Sequence, residues 1–176
     1  MSTTSRRQFL RHLAAVSSMG AAAPLGLIIA PTRELVQQIA EAMQQFAQFT
    51  PYKIATVYGG VKLTGQSTKL RAGVDILVAT PGRLKEHVEL GNINLAKTEF
   101  VVLDEADRMM DMGQAVELER LYPLLPSARQ TVVLASSLGA CALTAAVIPA
   151  VEASRARAMV VRFIVWSPRN GCWDLC

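Results

Sequence analysis

Four short clusters in this chain of 176 residues hold the residue types that phosphate chemistry uses. Asp104-Glu105-Ala106-Asp107 directly follows the apolar run Phe100 to Leu103. Two carboxylates at the end of a buried strand can set one on a nucleotide-bound magnesium and the other beside an attacking water. Helix capping gives the same pattern, because acidic side chains in a first turn offset the helix dipole. Thr80-Pro81-Gly82-Arg83 reads as a helix start: Thr caps free N–H groups, Pro fits the first helical position, and such N-termini bind phosphate. Pro31-Thr32-Arg33-Glu34-Leu35 has the same form, with Thr32 as the cap. Arg33 and Arg83 then put positive charge into first turns, where the dipole disfavours it, and a phosphate ligand would account for that placement. Gly59-Gly60 would let a backbone approach a ligand closely. Taken singly, each of these is also an ordinary turn or cap.

The elements that position these clusters alternate between short apolar runs and longer stretches of helical pattern, the rhythm of β-α units feeding a parallel sheet. The runs are Leu27 to Ala30, Ile54 to Tyr58, Ile76 to Ala79, Phe100 to Leu103 and Thr131 to Leu134, and their lack of polar alternation predicts strands buried on both faces. Leu35, Val36, Ile39, Ala40, Met43, Phe46 and Ala47 recur at helical spacing, with glutamines and Glu41 opposite, which predicts an amphipathic helix on the sheet. In an open parallel sheet, ligands bind beyond the carboxyl ends of the strands. Pro31 to Leu35, Thr80 to Arg83, Asp104 to Asp107 and Ala135-Ser136-Ser137 would all lie on that one edge.

Pro-Thr-Arg-Glu-Leu, Gly-Gly, Thr-Pro-Gly-Arg and Val-Leu-Asp-Glu-Ala-Asp occur here in the order and relative placement found in DEAD-box RNA helicases, and the stretch from Leu25 to Leu138 resembles part of that family's first motor domain. The resemblance implies an α/β fold, an incomplete RecA-like parallel sheet flanked by helices. It implies that Pro31, Thr32, Arg33, Glu34, Gly59, Gly60, Thr80, Pro81, Gly82 and Arg83 contact the backbone of single-stranded or structured RNA, without reading its sequence. It implies ATP and magnesium as cofactors, with Asp104 on the metal, Glu105 on the water, and Asp107 linking to a later motif whose retained hydroxyl is Ser137. That motif, Ser-Ala-Thr in the family, stands here as Ala135-Ser136-Ser137.

The family places a Gly-rich loop ending in Lys-Thr, with its strand and helix, ahead of the segment that begins here at Leu25. These 176 residues contain no Gly-x-x-x-x-Gly-Lys pattern, and no Lys precedes Lys53. The adenine-reading glutamine motif and the second motor domain have no counterpart either. The expectation is a helicase-derived domain with negligible ATPase activity by itself. Non-enzymatic RNA binding is the competing reading, and an exported protein of another role a third. Without the first strand and helix, apolar surface and a sheet edge must be covered by some other element.

Composition narrows the class but not the partner. About half the residues are apolar and 18% are charged, which is globular, and no run of about twenty apolar residues suggests a membrane span. The net charge of +4 carries no nucleic-acid signal, because 11 basic and 12 acidic residues lie between Leu25 and Leu138. The excess sits in the end segments. Residues 1–24 contain Arg6-Arg7-Gln8-Phe9-Leu10 and Ala21-Ala22-Ala23, which resemble a twin-arginine export signal; a basic amphipathic helix is the alternative. The motifs point to the cytoplasm, the signal to export. Residues 139–176 carry no motif, but Val160 to Trp166 has the composition of a strand. Cys141, Cys172 and Cys176 lack metal-site spacing and read as free thiols.

Overall fold

The structure is a computed structural model that describes residues 21–135 and the backbone of Val160–Ser167 and Cys172–Leu175. The five predicted runs are strands: β1 (Gly26–Ile29), β2 (Ile54–Val57), β3 (Ile76–Ala79), β4 (Phe100–Leu103) and β5 (Gln130–Ala135). Between them lie α1 (Arg33–Ala47), α2 (Leu63–Arg71), α3 (Pro81–Glu89), α4 (Ala106–Asp111) and α5 (Ala115–Leu121). The strands β6 (Val160–Ser167) and β7 (Cys172–Leu175) complete a sheet of order β2-β3-β1-β4-β5-β6-β7. Pairing is parallel from β2 to β6, and only β7 runs antiparallel. The parallel sheet flanked by helices is the expected α/β architecture.

Each face of the sheet has its own core. Leu27 and Ile29, Leu77, Val101 and Leu103, and Val133 point to the face covered by Leu70 of α2, Leu84 of α3, Met109 of α4 and Leu118 and Leu121 of α5. The opposite face is smaller: Ala30 and Val78 pack with Val36 and Ala40 of α1, joined by Ile28, Leu35, Ile39, Ile54 and Tyr58. The division follows from handedness. A right-handed crossover places its helix on one face when the chain moves one way along the sheet, and on the other face when it moves back. Only the connection from β1 to β2 moves back, so α1 stands alone among the described helices on its face.

The apolar run predicted to act as a strand is β6, and it fills the edge that β5 would otherwise expose. Its register pairs Gln130 with Val160 and Ala135 with Val165, giving β5 a partner on both sides. An unpaired edge offers open N–H and C=O groups to other chains, and β6 removes that hazard from β5. At the other end, Ala22 ties the approach to β1 onto the α3–β4 loop: its N–H donates to Asn92 O at 3.0 Å, and its carbonyl accepts from Asn94 N at 2.8 Å.

Candidate nucleic-acid interface and carboxylate pair

Because the strands are parallel, Pro31-Thr32, Gly59-Gly60, Thr80 and Asp104 all emerge at the carboxyl edge of the sheet. Thr32 caps α1 as expected, its hydroxyl accepting from Leu35 N at 3.3 Å. Thr80 occupies the cap position of α3, with Pro81 first in the helix, but its hydroxyl makes no capping bond. That expectation is corrected. Gly82, the second residue of α3, has nothing within 4 Å of where a Cβ would stand, so the helix start is uncrowded on that side.

The two first-turn arginines behave differently. Arg33 is half exposed on the surface, with Nε 3.0 Å from Glu34 Oε1. The Glu34 carboxyl is held below its usual range by hydrogen bonding to its own backbone N–H, and then by Arg33. Arg83 is 11% exposed, and its Nη1 donates to Val61 O at 3.1 Å. Its Nε lies 3.2 Å from Glu86 Oε2, a contact close enough for charge attraction but without hydrogen-bond geometry. A phosphate ligand is therefore not needed to explain Arg83. Internal partners, the Val61 carbonyl and Glu86, offset the dipole penalty, and the side chain anchors the loop after Gly60.

Gly60 is where the motifs meet. Its φ of 83° lies in the region that L side chains avoid, and a Cβ there would stand 3.4 Å from Arg33 Nη1. The glycine thus lets the loop from β2 turn beneath the guanidinium of α1. Gly60→Ala is expected to lower stability by about 1–2 kcal/mol through the backbone conformation alone, read as a shift in the denaturant midpoint. Gly59→Ala, at a position with ordinary φ and open space, is the control.

A buried network that the sequence reading did not single out supports this loop. His87 of α3 is fully buried; its Nε2 lies 3.0 Å from Gln66 Oε1, and its Nδ1 lies 3.3 Å from Asn92 Nδ2. Gln66 Nε2 in turn donates to Tyr58 O at 3.0 Å. The neutral tautomer with hydrogen on Nε2 satisfies every partner, since Nδ1 then accepts from the Asn92 amide. Burial, and then the positive charge of Arg83, push the His87 imidazole below its usual range.

The carboxylates sit at the mouth of β4. Asp104 N–H continues the ladder to Ile29 O at 2.9 Å, and Asp104 Oδ1 accepts from Glu105 N at 3.0 Å. Burial raises the Asp104 carboxyl above its usual range; the Glu105 N–H lowers it in part, and the Glu105 charge raises it again. A divalent cation would offset that desolvation. Glu105 is the only described non-glycine residue with positive φ, at 50°, and its Oε2 is held 3.0 Å from Arg108 Nη1. Strained backbone of this kind costs on the order of 1–3 kcal/mol and concentrates at functional sites. Asp107 Oδ1 accepts from Arg108 N at 3.1 Å. Ser137, the expected later partner, lies outside the described residues.

One long-range contact joins the two halves of the edge. Gln114, in the turn between α4 and α5, donates from Nε2 to Pro31 O at 3.0 Å across 83 residues of sequence. It ties the loop before α1 to the helix that follows the carboxylates. No local pattern announces it; only Gly113, with φ 73°, marks the turn that aims it.

Comparison with known proteins decides the family. The DEAD/DEAH box helicase family model matches residues 9–142. The chain belongs to the DEAD/DEAH box helicase family. The match reaches past the Leu25–Leu138 stretch at both ends and includes most of the segment that resembles an export signal. The chain is 43% identical over 108 residues to the ATP-dependent RNA helicase DBP2 of Eremothecium gossypii, an alignment covering 61% of this chain and 19% of that protein. The yeast DEAD-box splicing factor Prp28 superposes with a TM-score of 0.66 at 28% identity, over 92% of this chain and 39% of that one. A hypothetical ATP-dependent RNA helicase from Sulfolobus tokodaii gives 0.65 at 28% identity, over 78% and 40%. The chain thus corresponds to part of a DEAD-box helicase and spans well under half the length of these relatives.

Proposed function

We propose that this helicase segment binds the sugar-phosphate backbone of RNA along the carboxyl edge of its sheet and, as a chain of 176 residues, does so without turning over ATP. The observation that carries the reading is the convergence at Gly60: Arg33 stands over the glycine while Arg83 holds the next carbonyl, so three separate motifs form one surface. Along it, Thr32, Arg33 and Glu34 open α1, and Thr80, Pro81 and Gly82 open α3. Arg33 supplies the accessible charge, the α3 start supplies N–H groups, and Arg83 acts as a positioning residue. Contacts of this kind fix register on a strand and are indifferent to base identity.

The residues present fit only part of the nucleotide. Among the described residues no group of three or more His, Cys, Asp or Glu side chains could hold a metal ion by itself. Asp104 can give one ligand to a magnesium ion that is itself held by nucleotide phosphates, which is the way such sites share that ion. When bound, the ion would neutralise phosphate charge; Asp104 would hold it, and Glu105 would first have to leave Arg108 to orient a water. Nothing in the 176 residues supplies the Gly-rich phosphate cradle.

Titration of a labelled single-stranded RNA by fluorescence anisotropy tests the reading. Binding should weaken as salt rises, with a slope of roughly 0.7 per phosphate contacted. Arg33→Ala is expected to weaken it about tenfold and to reduce the slope by about one contact. Binding equal to wild type in Arg33→Ala and in Thr80→Val, at a salt concentration where wild-type binding is partial, would count against this interface. No helix among the described residues is long and apolar enough to cross a membrane.

A further inference from the structure

Two side chains on the seam between α1 and the end of β2 have no part in the backbone contacts described above. Gln37 stands one turn after Arg33 on α1, so the two share a face, with about 5–6 Å between their Cβ atoms. Arg33 Nη1 stands over Gly60, and Gln37 Nε2 donates to the Tyr58 hydroxyl at 2.9 Å in a bond exposed to solvent. Two successive positions of the helix thus meet two positions of one loop. Tyr58 is held on every side that could let it move: its ring packs against the cluster of Ala30, Val36, Ala40 and Val78, and its carbonyl accepts from Gln66 Nε2 at 3.0 Å. The hydroxyl is therefore presented at a fixed place beside Arg33.

The hydrogen bonding of this pair is not exhausted. With Nε2 on the Tyr58 oxygen, Gln37 keeps its carbonyl as an acceptor, and the phenol keeps its own O–H as a donor. The reversed amide gives the same balance, with the NH₂ as donor and the phenol oxygen as acceptor. One donor beside one acceptor matches a hydroxyl, which is both. A phosphate oxygen only accepts, and would leave the acceptor of the pair unanswered.

We propose that Gln37 and Tyr58 bind a ribose 2′-hydroxyl next to the phosphate that meets Arg33, and so make this edge prefer RNA to DNA. The proposal rests on the RNA-backbone reading above and adds the one group that tells the two polymers apart. The 2′-hydroxyl donates to Gln37 Oε1 and accepts from the Tyr58 O–H. In DNA the same place holds only hydrogen on carbon, and water satisfies the exposed pair instead. The preference is accordingly modest, about three- to tenfold, the size of a net hydrogen bond. Arg33 contributes nothing to it, because phosphate is common to both polymers.

Fluorescence anisotropy of the full chain with oligouridine and oligodeoxyuridine of equal length, at one salt concentration, isolates the sugar from base and phosphate. Wild type should bind the RNA about three- to tenfold more tightly. Tyr58→Phe keeps the ring in its packing; it should lower the RNA affinity to that for DNA and leave the DNA affinity at the wild-type value. Gln37→Leu should do the same, and the two substitutions together should cost no more than either alone, since both act on one hydroxyl. Gln37 is exposed, so this variant stays folded whatever Tyr58→Phe does to the loop. Arg33→Ala should weaken both polymers alike and preserve their ratio. Equal binding of RNA and DNA by wild type would overturn the inference and leave the backbone interface standing. A ratio unchanged in both variants would overturn it as well, and so would parallel losses for RNA and DNA, which would make the pair a prop for the Gly60 loop. Failure of wild type to bind either polymer would remove the RNA reading together with it.

Discussion

Magnesium-ATP is expected to bind this chain more weakly than millimolar and to be hydrolysed at no measurable rate, with or without single-stranded RNA. A Gly-rich cradle with its lysine provides three or so charge-assisted phosphate contacts, each contributing about 1.5–3 kcal/mol. Their loss removes roughly 5–9 kcal/mol, which turns a micromolar site into one beyond millimolar. Positioning and charge neutralisation account for nearly all of phosphoryl-transfer catalysis, so a nucleotide that is not held is not hydrolysed. The geometry adds a second obstacle, because Glu105 is engaged by Arg108 at 3.0 Å. Isothermal titration with magnesium-ATP and a phosphate-release assay give the measurement. RNA-stimulated turnover that disappears in Glu105→Gln would sink the prediction. Arg108→Ala frees the carboxylate without restoring a cradle, so it should leave turnover at background.

His87→Leu is expected to destabilise the domain by roughly 2–5 kcal/mol, more than any surface substitution discussed above. The ring is fully buried, and an apolar replacement leaves the buried Gln66 carbonyl unpaired, at about 1–3 kcal/mol, and also takes the partner from the partly buried Asn92 amide. The imidazole also carries a pH signature. Burial depresses its folded pKa below the ordinary 6.5, so the unfolded chain takes up the proton first as pH falls. The stabilisation is complete above that value and declines as pH drops below it. Denaturant midpoints between pH 7.5 and 5 should therefore fall more steeply for wild type than for His87→Leu. Parallel slopes would show that His87 titrates alike in both states.

These two sites show where local pattern was sufficient and where it was not. The strands were legible because a strand buried on both faces must be a continuous apolar run, and all five runs from Leu27 to Leu134 became strands within a residue or so of their predicted ends. The amphipathic α1 was legible for the same kind of reason, its Val36 and Ala40 being the buried pair on the predicted face. The network around His87 was invisible, since a lone histidine in a polar stretch has no periodicity to mark it. Gln114 was equally silent, as its partner Pro31 lies 83 residues away.

The sequence by itself determined the family, the alternation of strand and helix, and the arrival of the motifs at one sheet edge, because each of these is written in spacing over a few residues or in the fixed hand of a parallel crossover. Tertiary structure alone decided what the charges do. Arg33 and Arg83 both lie in first turns, at the first and the third helical position, and one is exposed beside Gly60 while the other is 11% exposed on Val61 and Glu86. It also decided that β6 closes the edge of β5. Those outcomes depend on which distant segments meet, and composition constrains such meetings only through total apolar area, not through the choice of partner.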